Sequence, residues 1–125
     1  MKDPERAPDL SIVVPVFEEK ENLEPLVDEI LEVLSPSGLA VEIVLVNDGS
    51  RAGSAERIAE LASSRTGVRG LHFRENRGQS AAFDAGFKAA KGRMVVTLDA
   101  DLQNDPRDIP VLVAALEDHG SEDVV

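Results

Sequence analysis

The sequence contains no cysteine, tryptophan or tyrosine and only four phenylalanines among its 125 residues. Without cysteine, neither disulfide bonds nor thiolate metal sites can form. The chain also lacks any apolar run of the ~20 residues that a membrane-spanning helix needs. Its polar start, residues 1–6, lacks the apolar segment of a secretion signal. These absences predict one soluble, cytoplasmic domain that follows a polar tail over residues 1–9, with a core of valine, leucine, isoleucine and alanine.

Basic residues are also scarce, since 13 lysines and arginines stand against 24 acidic residues and leave a formal net charge of −11. Nucleic-acid binding depends on lysine and arginine that neutralise phosphates. We therefore expect no nucleic-acid partner. Most of these carboxylates are expected to form an ordinary solvated surface.

Apolar runs of strand length alternate with stretches of helical period along the chain. The strands are predicted over residues 10–14, 41–46, 68–73 and 94–98, with Pro15 ending the first of them. Strands that are apolar on both faces and joined by helices belong in a parallel sheet covered on both sides. The predicted fold class is therefore α/β, a Rossmann-like, mostly parallel sheet with helices on both faces.

Helices are predicted between these strands from apolar residues spaced three and four apart. The first is expected to start at an N-cap on Asn22, with Pro25 in its first turn. Two more are predicted over residues 54–62 and 80–90, the latter ended by Gly92. A last helix is expected to start at Pro106, with Asp105 as its N-cap.

Acidic residues follow the fourth predicted strand directly, at Asp99 and Asp101. In an extended chain, residues two apart point the same way, and a divalent cation relieves the repulsion between two such carboxylates. Mg²⁺ and Mn²⁺ both prefer oxygen ligands, and Gln103 supplies another. These residues predict a metal site at the carboxyl edge of the sheet, where ligands of open parallel sheets bind. The alternative is a loop whose carboxylates cap the following helix.

Two further segments reach the same edge and leave two interpretations open. Asp48, in a turn after the second strand, either closes an Asx-type turn or accepts hydrogen bonds from a base or ribose. Arg77 and Gly78 precede a helix N-terminus, where backbone N–H groups favour a phosphate and glycine permits its close approach. An ordinary helix cap with a solvated arginine is the alternative there.

Four sequence motifs follow one another along the chain. They are Ser11-Ile-Val-Val-Pro-Val-Phe-Glu-Glu-Lys-Glu-Asn22, Val46-Asn-Asp-Gly-Ser50, Asn76-Arg-Gly-Gln-Ser-Ala-Ala82 and Thr97-Leu-Asp-Ala-Asp-Leu-Gln-Asn-Asp-Pro106. In their order and spacing these motifs resemble those of family 2 glycosyltransferases, and within that family those of the polyprenyl-phosphate glycosyltransferases. The similarity extends from about Leu10 to Leu116, and the last motif is the most specific.

The resemblance implies a GT-A fold and inverting transfer of a sugar from a UDP- or GDP-linked donor to a polyprenyl phosphate. It implies that Asp99 and Asp101 are the catalytic residues and that Asp101 and Gln103 ligate Mg²⁺ or Mn²⁺, with Asp99 at the ribose and diphosphate. The metal would neutralise the leaving diphosphate. The full-length protein is then expected at the cytoplasmic face of a membrane. The residues implied to bind the nucleoside are Pro15, Phe17, Glu19 and Asp48.

Two departures from the family pattern qualify this prediction. The family usually has Asn-Glu after the aromatic residue of its first motif, whereas this chain reads Phe17-Glu18-Glu19. We also expect residues 10–125 to stop before the acceptor-binding part of the family, and so to bind donor and metal without catalysing transfer alone. The sequence does not identify the oligomeric state.

Two functions are alternatives to a lipid-linked transferase. They are a non-catalytic nucleotide- or metal-binding module and a family 2 transferase with a polysaccharide or other non-lipid acceptor. A phospho-acceptor signalling domain is disfavoured because no aspartate follows Phe73.

Overall fold

The computed structural model describes residues 7–18, 20–50, 53–98 and 105–119, with side chains up to residue 117. Within these ranges the strands are β1 (Leu10–Val16), β2 (Val41–Asn47), β3 (Val68–His72) and β4 (Met94–Thr97). They form one sheet in the order β3-β2-β1-β4, and every neighbouring pair is parallel. The predicted parallel α/β sheet is confirmed.

Four α-helices connect or follow these strands in the described part of the chain. They are α1 (Lys20–Leu34), α2 (Ser54–Ser64), α3 (Gln79–Ala89) and α4 (Ile109–His119), with short 3-10 turns at Ser35–Ser37 and Pro106–Asp108. None of them is long and apolar enough to cross a bilayer.

The two faces of the sheet bury different sets of side chains. One face packs Ile12 and Ile43 with apolar residues of α1, α2 and α4, such as Leu26, Ile58 and Ile109. The other face packs alternate strand residues, Val13, Val44 and Val46, against Ala82 of α3. Successive strand side chains point to opposite faces. Helices therefore cover both faces, as predicted.

Pro15 does not end the first strand, and that prediction is wrong. β1 continues through Pro15 to Val16, and Pro15 is paired in register with Val46 of β2. Val13, two residues earlier, directs its carbonyl toward the β4 side, where it accepts from Leu98 N at 3.1 Å. The backbone of Pro15 faces the same side but lies beyond the last residue of β4. The missing N–H of Pro15 therefore removes no hydrogen bond between strands.

Two helix boundaries also differ from the prediction. Helix α1 begins at Lys20, so Asn22 is not its N-cap and Pro25 lies in the second turn. On its apolar face, Leu23 and Ile30 are fully buried. Because that face packs against the core, the helix tolerates the loss of one backbone hydrogen bond at Pro25. Helix α3 ends at Ala89, and its C-cap residue Ala90 is extended, so Gly92 is not its stop.

Candidate functional site at the carboxyl edge of the sheet

Backbone hydrogen bonds bring the ends of all four strands together at one edge of the sheet. Asp48 N donates to Val16 O at 2.8 Å, and Phe73 N donates to Asn47 O at 2.9 Å. Leu98, directly after β4, donates to Val13 of β1. The segments that follow β1, β2, β3 and β4 therefore start side by side, which is where parallel sheets bind ligands.

The turn after β2 is closed by Asn47. Its Oδ1 accepts from Ser50 N at 2.8 Å, and its Nδ2 lies 3.2 Å from His72 Nδ1. The Asx-type turn that was one interpretation of Asp48 is thus made by the preceding residue. Asp48 is left to make other contacts.

The Asp48 carboxylate holds the loop that leads into α3. Its Oδ1 accepts from Arg77 N at 2.7 Å, and its Oδ2 accepts from Gly78 N at 3.0 Å and from Asn76 Nδ2 at 2.9 Å. Asp48 is only 4% exposed. A buried carboxylate must be compensated by donors, and here the donors come from residues about thirty positions later in the chain. Nothing in the local sequence indicates this pairing.

The same turn touches that loop through Gly49. Its φ is 73°, in the left-handed region that glycine adopts without strain. A Cβ at this position would overlap the backbone of Glu75 and Asn76. Glycine therefore permits the close approach of the turn to the loop, rather than of a ligand.

Ser50 connects the turn to the end of β1. Its Oγ accepts from Glu18 N at 2.9 Å and lies 3.4 Å from Val16 O, to which it donates. Phe17, between those two residues, is 46% exposed, whereas Pro15 is buried in the strand. Of the residues implied to line a nucleoside pocket, Phe17 thus presents an open aromatic side chain at this edge. Glu19 lies outside the described residues.

Arg77 and Gly78 both lie at the entrance to α3. The Arg77 guanidinium lies 5.8 Å from the centre of the Phe73 ring, a cation–π contact, and its side chain is exposed. Gly78 has a φ of 97° and provides no side-chain cap. The backbone N–H groups of Arg77 and Gly78 both donate to Asp48, so the anion at this end of the helix is one of the protein's own carboxylates.

The predicted metal ligands Asp99, Asp101 and Gln103 lie outside the described residues. Asp105, just after them, is confirmed as a cap, since it accepts from Arg107 N at 2.9 Å. The Arg107 guanidinium also donates to it at 2.8 Å, and these bonds lower the pKa of Asp105. Among the described residues, no group of three or more acidic or histidine side chains could hold a metal ion.

An open parallel α/β sheet with polar loops at its carboxyl edge defines a class of domains that bind ligands at that edge. The family model for glycosyl transferase family 2 matches residues 11–125 of this chain. The chain therefore belongs to glycosyl transferase family 2, as its motifs predicted.

Curated relatives refine this placement. The chain is 37% identical over 116 residues to a dodecaprenyl-phosphate galacturonate synthase of Rhizobium johnstonii, covering 92% of this chain and 34% of the relative. It is 45% identical over 106 residues to an undecaprenyl-phosphate 4-deoxy-4-formamido-L-arabinose transferase of Pseudomonas paraeruginosa, covering 83% and 31%. The predicted resemblance to polyprenyl-phosphate transferases is confirmed. The chain spans about a third of the length of these relatives.

Solved structures show the same fold. A mannosyltransferase of Pyrobaculum calidifontis in complex with GDP-Man and Mn²⁺ matches with a TM-score of 0.70 and 28% identity, over 85% of this chain and 31% of that one. The S. aureus protein TarS, residues 1–349, in complex with UDP, matches with a TM-score of 0.66 and 18% identity, over 89% and 32%. The predicted GT-A fold class is confirmed.

Proposed function

We propose that this chain binds the donor and the metal of an inverting glycosyltransferase that transfers a sugar from a nucleoside diphosphate to a polyprenyl phosphate. The observation that carries the proposal is that Phe17, Asp48 and Arg77 lie at one edge of the sheet. Leu98, the residue before Asp99, lies at the same edge. Relatives named as polyprenyl-phosphate synthases and transferases support the acceptor class. A membrane-bound acceptor would place the full-length protein at the cytoplasmic face of a membrane.

The nucleoside is proposed to bind beside β1 and β2. The exposed ring of Phe17 offers an apolar surface for a base, and its backbone is fixed through Ser50. Pro15 and Glu19 are proposed to complete this pocket, and the buried Asp48 lies behind it, where its carboxylate holds the loop at residues 76–78. The exposed guanidinium of Arg77 and the backbone at Gly78 are proposed to lie near the phosphates or the sugar.

Asp99, Asp101 and Gln103 are proposed to hold Mg²⁺ or Mn²⁺. Carboxylate and amide oxygens suit both ions, and the mannosyltransferase with the matching fold was solved with Mn²⁺. Leu98 is bonded to β1, so the segment starts at the edge where Phe17 and Asp48 lie. When bound, the ion would neutralise charge on the leaving diphosphate. An acceptor phosphate is already anionic, so the chain needs no strong general base to activate it.

Calorimetric titration of the 125-residue chain with UDP and GDP, with and without Mn²⁺, tests this proposal. We expect binding that depends on Mn²⁺ and weakens by at least about tenfold in Asp101→Ala. Asp84→Ala is the matched control, since Asp84 is an exposed aspartate on α3 that pairs with Lys88 at 3.0 Å. Binding that is indifferent to both the metal and Asp101→Ala would favour a non-catalytic nucleotide-binding module instead.

A further inference from the structure

Asp48 is buried at the site, yet its charge is balanced without a cationic side chain. Three N–H donors, from Arg77, Gly78 and Asn76, surround its carboxylate at 2.7–3.0 Å. No lysine or arginine side chain forms an ion pair with it in the part of the chain that the structure describes. A carboxylate has roughly four acceptor positions, so these three donors use most of its capacity.

The position of Asp48 in front of α3 explains how this charge is stabilised. The N-terminus of a helix carries a partial positive charge, and α3 starts at Gln79, directly after two of the donors. Asp48 thus occupies the place that an external anion would take at this helix end. The backbone of residues 76–78 is fixed by that contact and by the close approach of Gly49.

The contact with Asp48 engages the backbone of Arg77 and leaves its side chain available. Its backbone N–H serves Asp48, while its guanidinium lies over Phe73 and is exposed. No carboxylate within the described ranges pairs with that guanidinium. An exposed guanidinium that is oriented by its backbone and by an aromatic ring suits a phosphate ligand.

We infer that Asp48 is a positioning residue, which fixes the 76–78 loop so that Arg77 meets the diphosphate of the donor. This inference rests on the proposed function and adds to it, because Asp48 would then act on the phosphates rather than on the base or ribose. Its removal should therefore weaken binding of a nucleoside diphosphate and leave binding of the plain nucleoside unchanged.

The test compares UDP with uridine, and GDP with guanosine, by NMR titration of the 125-residue chain in Mn²⁺-free buffer with Mg²⁺. In Asp48→Asn we expect diphosphate binding to weaken on the order of tenfold, since a charged acceptor of several hydrogen bonds is lost. Nucleoside binding should stay within twofold. Asp84→Asn makes the same chemical change at an exposed site and should alter neither. Equal weakening of nucleoside and diphosphate, or no weakening of either, would overturn the inference.

Two further measurements keep the test decisive. Asn76→Ala removes one donor and keeps the carboxylate, so it should show the same selectivity for diphosphate with a smaller loss even if Asp48→Asn does not fold. Arg77→Ala combined with Asn76→Ala should weaken diphosphate binding no further than Arg77→Ala alone, because both act through one side chain. Additive losses would contradict this coupling.

Amide hydrogen exchange separates this inference from the proposed function. If the unchanged chain binds neither diphosphate nor nucleoside, the proposed function fails. Hydrogen exchange still tests the contact between Asp48 and the loop in that case. Asp48→Asn should lower the exchange protection of the Arg77 and Gly78 amides and leave the protection of the β1 amides unchanged. Unchanged protection at both amides would show that Asp48 does not fix the loop.

Discussion

Glu18 has a backbone conformation that its side chain does not favour. Its φ of 57° is the only positive value at a non-glycine residue in the described part of the chain. The left-handed region costs roughly 1–2 kcal/mol for most residues, whereas asparagine enters it more readily. The family usually has asparagine at this position. The glutamate of this chain therefore replaces asparagine at a position whose backbone conformation suits asparagine. Ser50 Oγ, which accepts from Glu18 N, holds the strained residue.

Glu18→Asn is therefore expected to raise the free energy of unfolding by about 0.5–1 kcal/mol. Urea denaturation of the two chains measures the difference. Glu18→Gln is the matched control, because it removes the same charge and keeps a side chain that disfavours positive φ. Equal stability of the Asn and Gln variants would show that backbone strain at this residue is not the cause.

At the scale of elements, helix α3 approaches the sheet closely at Gly86. A Cβ at Gly86 would overlap Cγ1 of Val13, which is fully buried on β1. Glycine inside a helix costs about 1 kcal/mol relative to alanine. That cost is offset because the small residue lets α3 lie close to β1, which places the first turn of α3 beside Asp48.

Gly86→Ala should therefore destabilise the protein by about 1–3 kcal/mol, in spite of its better helix propensity. Adding Val13→Ala makes room for the new methyl group, because the remaining Val13 Cβ lies 3.3 Å from it. The double variant should then be more stable than the sum of the two single changes by at least about 1 kcal/mol. Thermal or urea unfolding of all four chains completes the cycle, and additive changes would contradict the close packing described above.

At the scale of the whole molecule, local patterns predicted the sheet and most of its helices, because strand and helix periods are properties of neighbouring residues. They failed where a distant contact decides the outcome. Pro15 stays in β1 because β4 ends before it, and α1 keeps Pro25 in its second turn because its apolar face packs against the core. The donors to Asp48 come from a loop about thirty residues away, so the sequence indicated a polar residue at the edge but not its partners. The metal ligands were named from motifs and stay a prediction.

A second buried carboxylate, Glu42, ties the opposite end of the sheet together. Its Oε2 accepts from Ser11 Oγ and from Lys91 N, each at 2.6 Å, and its Oε1 accepts from Arg69 Nε at 3.0 Å. The contacts join β1, β2, β3 and the segment between α3 and β4. Burial by itself would raise the pKa of Glu42, but the hydrogen bonds from Lys91, Ser11 and Arg69 together lower it below the ordinary value of 4.5.

This lowered pKa predicts a defined dependence of stability on pH. The unfolded chain binds a proton at Glu42 more readily than the folded chain, so the contribution of Glu42 is present above about pH 4.5 and is lost as the pH falls through the folded pKa. Glu42→Gln should cost about 1–3 kcal/mol near pH 7. The difference between wild type and variant should shrink steadily as the pH falls below about 4.5.

Urea denaturation at several pH values measures that difference. The comparison is needed because the 24 acidic residues also titrate and relieve their mutual repulsion at low pH. Subtracting the Glu42→Gln curve from that of the wild type removes this shared background, and Glu32→Gln on exposed Glu32 controls for the loss of one surface charge. A wild-type advantage over Glu42→Gln that stayed constant down to pH 3 would mean that the buried contacts do not favour the ionised carboxylate. The network would then owe its stability to hydrogen bonds that do not need the charge, and to packing.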